Sequence, residues 1–319
     1  MPPILTSTGL VASVRRNASL GPENNNAFPF DSDILAWINE EMTNACVTVL
    51  MKPREEFFVE YYEFTTTADV REYRIPAASF ASDVRDVQAQ FGSEPYQSLS
   101  RIEPELVAGY DLSGASSPYP SGYYLRGNYV VLVPMPAAGS AIRIKYFRRP
   151  GYIVTSSSYS LVTNLSGSAP TYTATVASTT GLSGVTEFEF AESAAPFETV
   201  LTGVVGVVAG GTTLTLTLTA AQAAKITASL SECYALAAGN APGPQIPQDL
   251  VSYLTQRTTW RGLIAKGDKD GAKACFAASE ITRQALVNAM NARTGGLSRK
   301  VVGRSFNRRW GGFFGNWGG

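Results

Sequence analysis

The chain has 319 residues, of which 45% are hydrophobic, enough to bury one large core or two. Only 16% are charged, against about 25% in an ordinary soluble domain, and the formal net charge is zero. Histidine is absent, which removes the commonest general base near neutral pH and the commonest metal ligand.

Residues 1–30 are mostly Ser, Asn, Gly and Pro, with Arg15-Arg16 and Asn24-Asn25-Asn26, and read as an extended arm without its own core. No signal peptide is expected there, because no basic region precedes an apolar run. Asp31-Ser32-Asp33 caps a helix in which Ile34, Ile38, Met42, Ala45 and Val49 recur at helical spacing, flanked by Leu35 and Trp37 and ended by Pro53. The period then changes to two. Phe57 to Thr67 is rich in aromatic and β-branched residues and reads as a strand, with Arg71 to Ile75 placed to pair with it across Ala68-Asp69. Val84 to Phe91 is a third strand, and Glu103-Pro104-Glu105-Leu106 opens a short helix. Tyr123 to Val133 is a hairpin with Gly127-Asn128 at a turn that needs positive φ. Ala141 to Phe147 alternates Ile142, Ile144 and Tyr146 against Arg143 and Lys145, a half-buried strand.

Residues 152–245 change composition, with Lys225 the only base and Ser, Thr, Gly, Ala and Val dominant. Thr171 to Val176, Thr186 to Phe190 and Thr212 to Thr219 read as strands of a small all-β insertion that closes near Tyr234. A helix follows from Ile246 to about Ala265, started by Pro247 and Asp249 and broken by Gly267-Asp268-Lys269-Asp270-Gly271. Asp268 or Asp270 caps the next helix, which carries Ala272, Cys275, Phe276, Ser279, Leu286 and Met290 as a narrow stripe and stops at Gly295-Gly296. The expected fold class is α+β: a small α-helical bundle of one N-terminal and two C-terminal helices, an antiparallel β domain, and an inserted small all-β domain. The division is 1–30 arm, 31–151 helix plus antiparallel β domain, 152–245 inserted β domain, 246–294 helix pair completing the bundle, and 295–319 tail.

The sequence carries no motif for chemistry. Gly206 to Gly211 has neither a Walker pattern nor a dinucleotide fingerprint. Cys46, Cys233 and Cys275 are odd in number and far apart, so three buried free thiols are expected, with no zinc site or disulfide framework. The neighbouring carboxylates Glu40-Glu41, Glu55-Glu56 and Glu187/Glu189 read as solvated surface, since a glycosidase needs two carboxylates facing each other across a cleft. No catalytic, cofactor-binding or metal-binding residue is assigned, no cofactor is expected, and no apolar run reaches the roughly 18 residues of a membrane span.

Charge is polarised along the chain. From Pro247 onward there are 12 bases and 4 acids. The tail from Leu297 to Gly319 sets Phe306, Trp310, Phe313, Phe314 and Trp317 beside Arg299, Lys300, Arg304, Arg308 and Arg309. Three readings of it are open: stacking and phosphate contact with a single-stranded nucleic acid, a disordered end, or a peptide that docks into a protein groove by aromatic anchors and arginine.

The order of several short motifs resembles the head-to-tail adaptor (connector) proteins of tailed bacteriophages. They are the front helix, Arg54-Glu55-Glu56-Phe57-Phe58-Val59, Arg71-Glu72-Tyr73-Arg74-Ile75-Pro76, and Tyr123-Tyr124-Leu125-Arg126-Gly127-Asn128 with Val133-Pro134-Met135-Pro136. Tyr146-Phe147-Arg148-Arg149-Pro150-Gly151, Pro196-Phe197-Glu198, Pro244-Gln245-Ile246-Pro247 and the closing helix pair follow. The resemblance covers most of residues 31–305. It implies a non-enzymatic virion protein of the neck or tail, assembled in the host cytoplasm. Such a protein forms a ring, usually of twelve copies, that joins the portal to tail or nozzle proteins and continues the channel through which genomic double-stranded DNA passes without sequence-specific binding. It implies that the C-terminal segment reaches the portal, which makes the tail residues named above candidate portal contacts. The alternatives are another tail, nozzle or head-completion protein, and a virion-associated peptidoglycan hydrolase.

Overall fold

A computed structural model describes residues 6–21, 28–47, 49, 58–106, 119–218, 220–228 and 232–294, with 221 and 290–294 described by backbone alone. Among the described residues the fold is mixed α+β, with five helices and several sheets. The helices are α1 (Ser7–Asn17), α2 (Asp31–Glu41, continued as a π-helical turn over Met42–Cys46), α3 (Ala220–Ala228), α4 (Gln248–Lys266) and α5 (Lys269–Thr294).

The segment expected as an extended arm holds α1. Thr6 caps it, its Oγ1 accepting from the Gly9 N–H at 3.3 Å. Leu10, Val11 and Val14 are buried in one apolar cluster with Ile34, Ile38 and Met42 of α2 and Leu250, Val251 and Leu254 of α4. The polar composition hid it: three apolar residues form too narrow a stripe to announce a helix, and their cover comes from the far end of the chain. Arg15 fixes α1 to α2 by donating to Asp31, to the Pro29 carbonyl at 2.9 Å and to the Gly21 carbonyl at 2.9 Å.

Two four-stranded sheets face each other over a second cluster that includes Val87, Val130, Leu132, Ile142 and Ile144. The first has the order β1 (Val59–Thr65), β8 (Ala141–Arg148), β3 (Ser79–Gln90), β4 (Gln97–Ser98). The second has the order β2 (Glu72–Arg74), β7 (Tyr129–Val133), β6 (Gly122–Arg126), β5 (Ser100–Arg101). The hairpin β6–β7 pairs Arg126 with Tyr129 around Gly127 at φ +56°. β2 does not pair with β1 as expected; it pairs with β7, Tyr73 opposite Val130. Residues 66–71 form a corner rather than a hairpin, and the Tyr73 hydroxyl holds it by donating to the Val70 carbonyl at 2.8 Å and accepting from the Thr67 N–H at 3.0 Å.

After β9 (Tyr152–Ile153) the chain builds a closed six-stranded barrel and returns through β16 (Asn240–Ala241). Around the barrel the order is β10 (Tyr159–Ser168), β11 (Thr171–Val176), β14 (Thr213–Thr217), β13 (Thr199–Gly210), β12 (Glu187–Glu192), β15 (Cys233–Ala237). Phe188, Phe190, Leu214 and Leu216 fill its interior. The insertion is not all-β, because α3 packs Ala223 and Ile226 into the same cluster. Its sequence, Ala-Ala-Gln-Ala-Ala-Lys-Ile-Thr-Ala, is rich in the strongest helix former.

α4 stops at Gly267, whose φ of +86° is a left-handed cap. The Asp268 carboxylate then accepts from the Gly271 N–H at 2.9 Å at the start of α5. Cys46 and Cys233 are buried, whereas Cys275, expected inside, is half-buried on α5 with its Sγ 3.3 Å from the Gln256 carbonyl. Among the described residues no helix is long and apolar enough to cross a membrane.

Candidate functional site

Charged side chains converge at two places. The first lies where α2, α4 and α5 meet. Arg257 and Arg261 are one helical turn apart on α4 and share Glu41 of α2: Arg257 Nε is 2.9 Å from one carboxylate oxygen and Arg261 Nε 2.7 Å from the other. Glu41 is 2% exposed, so this pairing satisfies a carboxylate that burial would otherwise penalise heavily. Arg261 also bonds Glu40, and Glu280 of α5 holds Arg283 at 2.8 Å. The Arg257 guanidinium stands 4.9 Å from the centroids of both Trp260 and Phe276, a cation–π arrangement that fixes its plane. Glu41, Arg257, Trp260, Arg261, Glu280 and Arg283 line a cleft of about 390 Å³ with Tyr253, Asn44 and Val287. Burial first, and the Glu41 charge second, push the nearby Cys46 thiol far up, so it is unreactive near neutrality.

The second convergence joins the first sheet to the barrel. β8 alternates, with Ile142, Ile144, Tyr146 and Arg148 all facing inward. Arg148 is therefore carried inside and is 8% exposed. Its guanidinium contacts Glu60 of β1 at 3.4 Å, Glu189 of β12 at 3.2 Å, and the Thr199 hydroxyl of β13. Its Nε is buried without a partner. Burial raises the Glu189 carboxyl above the usual carboxylate range, and Arg148 opposes that shift. Gln245 completes the junction, donating to Thr199 Oγ1 at 3.0 Å and to the Phe197 carbonyl at 3.0 Å, and accepting from the Gly151 N–H at 2.8 Å. Asn39 of α2 pairs with both backbone groups of Ile153, at 2.7 and 3.0 Å.

The expected portal contacts Arg299, Lys300, Arg304, Phe306, Arg308, Arg309, Trp310, Phe313, Phe314 and Trp317 all lie outside the described residues, as do Glu55 and Glu56. The remaining carboxylate pairs are not simply solvated surface: Glu40, Glu41 and Glu189 are spent on arginines, while Glu187 is exposed. Sequence reading missed Arg148, Gln245 and Asn39. For Arg148 a signal existed, since it is in phase with Ile142, Ile144 and Tyr146. Among the described residues no group of three or more Cys, Asp and Glu could hold a metal ion.

The chain belongs to the SU10 adaptor protein family, whose sequence model matches residues 5–176, and so to the structural adaptors of bacteriophages. The match runs from residue 5, within the segment expected as an arm, to the end of β11, taking in α1, α2 and both facing sheets. No curated protein matches the chain.

Proposed function

We propose that this chain is a head-to-tail adaptor subunit that forms a ring beneath the portal, of twelve copies as the family resemblance implies. The observation that carries the reading is the family match over residues 5–176. In it, α1, α2, α4 and α5 are the bundle at the ring's core, the barrel is the inserted domain and faces the tail or the outside, and double-stranded DNA passes through the lumen. The tail 295–319 is the portal-binding segment. After Glu280 the sequence has seven bases and no acid, and a strongly basic lumen would retain passing DNA. The same bases suit carboxylates of a protein partner, with Phe306, Trp310, Phe313, Phe314 and Trp317 as apolar anchors.

Burying one large aromatic gains roughly 1.5–3 kcal/mol, and ordering a flexible residue costs about 1–2 kcal/mol, so several anchors must engage together. The test mixes purified portal with full-length chain and with chain truncated after Gly296, and reads sedimentation and negative-stain images. Full-length chain is expected to add a ring to the portal. The truncated chain should stay folded and fail to attach, and Trp310→Ala should weaken attachment more than Arg299→Ala. Wild-type attachment of the truncated chain would remove the tail from the portal contact; no ring with either chain would remove the adaptor geometry.

A further inference from the structure

Among the described residues three apolar clusters are separate: one among the helices, one between the sheets, one inside the barrel. The barrel meets the rest through the buried Phe197 ring seated against Gly243 between buried Pro242 and Pro244, and through polar contacts of Gln245 with Thr199 and the Phe197 carbonyl and of Arg148 with Thr199 and Glu189. The two chain crossings lie side by side as β9 and β16, with the Tyr152 N–H donating to the Gly239 carbonyl at 2.8 Å and the Val154 N–H to the Ala241 carbonyl at 3.1 Å. On the body side this ribbon is pinned by Asn39 at Ile153 and by Gln245 at Gly151. On the barrel side, residues 154–158 and 238–239 lead directly into β10 and out of β15. The charge contact between barrel and sheet in the described residues is Arg148 with Glu189.

We propose that the barrel is a movable arm held on the sheet by the Arg148–Glu189 pair, and that breaking the pair lets it reorient about residues 154–158 and 238–239 while both parts stay folded. This does not depend on the adaptor reading. A joint made of buried apolar surface would fuse the two cores. The buried ion pair in this joint holds only while both partners are present, because either alone is a desolvated charge. The unpartnered Arg148 Nε is a further cost of the closed state. The closed form therefore sits closer in free energy to an open form, in which water solvates Arg148, Glu60 and Glu189, than its burial suggests.

Spin labels at Ser166→Cys on the barrel and Gln284→Cys on α5, in a Cys275→Ser background, report the relative placement of the two parts. The parent is expected to give one narrow distance distribution. Arg148→Met should at least double its width, and Glu189→Gln, which keeps size and the arginine, should broaden it less. Hydrogen exchange at Phe188 and Phe190 in the barrel and at Ile144 in the sheet should remain as slow as in the parent in both variants. A parent-like distribution in both variants would overturn the proposal. So would broadening accompanied by loss of protection at Phe188 and Phe190, since Arg148 would then belong to the barrel's folding rather than to its seating.

Discussion

Arg148 and Cys233 are placed by the same rule, the alternation of a strand whose neighbours are apolar, with different chemical results. The arginine pairs with Glu60 and Glu189. The thiol, buried beside Ala235 in the barrel core, keeps its proton. Burial first, and Glu192 second, push the Cys233 thiol up to about 12 from an ordinary value near 9. Its folded pKa lies above its unfolded one, so its contribution to stability is fully present below about pH 9 and is lost as pH rises toward 12. Denaturant midpoints at pH 8, 9 and 10 should therefore fall more steeply in the parent than in Cys233→Ala; parallel slopes would show that the thiol stays protonated without cost. Both positions were open to a reader of parity, and parity places a side chain inside without saying what it meets there. Glu189 and Gln245 lie 41 and 94 residues from the groups they meet on β8 and at Gly151, a distance that no local pattern spans.

Elements with a strong internal period were legible. Ile34, Ile38, Met42, Ala45 and Val49, read as one helical face, are all buried, and Thr171–Val176 and the hairpin at Gly127 fall where their alternation puts them. Elements whose partner lies elsewhere were not. α1 depends on α4 for cover, β2 left β1 for β7, and α3 lies inside a segment whose threonines and valines argued for strands throughout. The turn between α4 and α5 belongs to the legible group, because a left-handed cap at φ +86° calls for glycine. A Cβ added at Gly267 would meet open space, with nothing within 4 Å, so backbone strain alone sets the cost of a substitution. Gly267→Ala should lower stability by about 1–2 kcal/mol in urea denaturation, and Gly267→Asn by less; an unchanged midpoint for the alanine variant would mean that the turn relaxes freely.

At the scale of the molecule, the pairing of β9 with β16 brings the barrel's entrance and exit together, as a removable insertion requires. The cut must respect the junction. Ile153 belongs to the helical cluster and holds Asn39, so a deletion starting there removes part of the core. Replacing 155–238 with a short glycine linker should leave helical circular dichroism intact, with Arg148 released to solvent; collapse of the helical signal would make the barrel part of the body's fold. The union of front and rear helices has a different consequence, in time. Glu41 and Arg257 are 216 residues apart, and synthesis at about 5–20 residues per second separates their emergence by roughly 10–40 s. Through that interval Leu10, Val11, Val14, Ile34 and Ile38 wait without the α4 surface that covers them. The nascent chain therefore offers an apolar face to any holdase chaperone at the ribosome until its last quarter has been made.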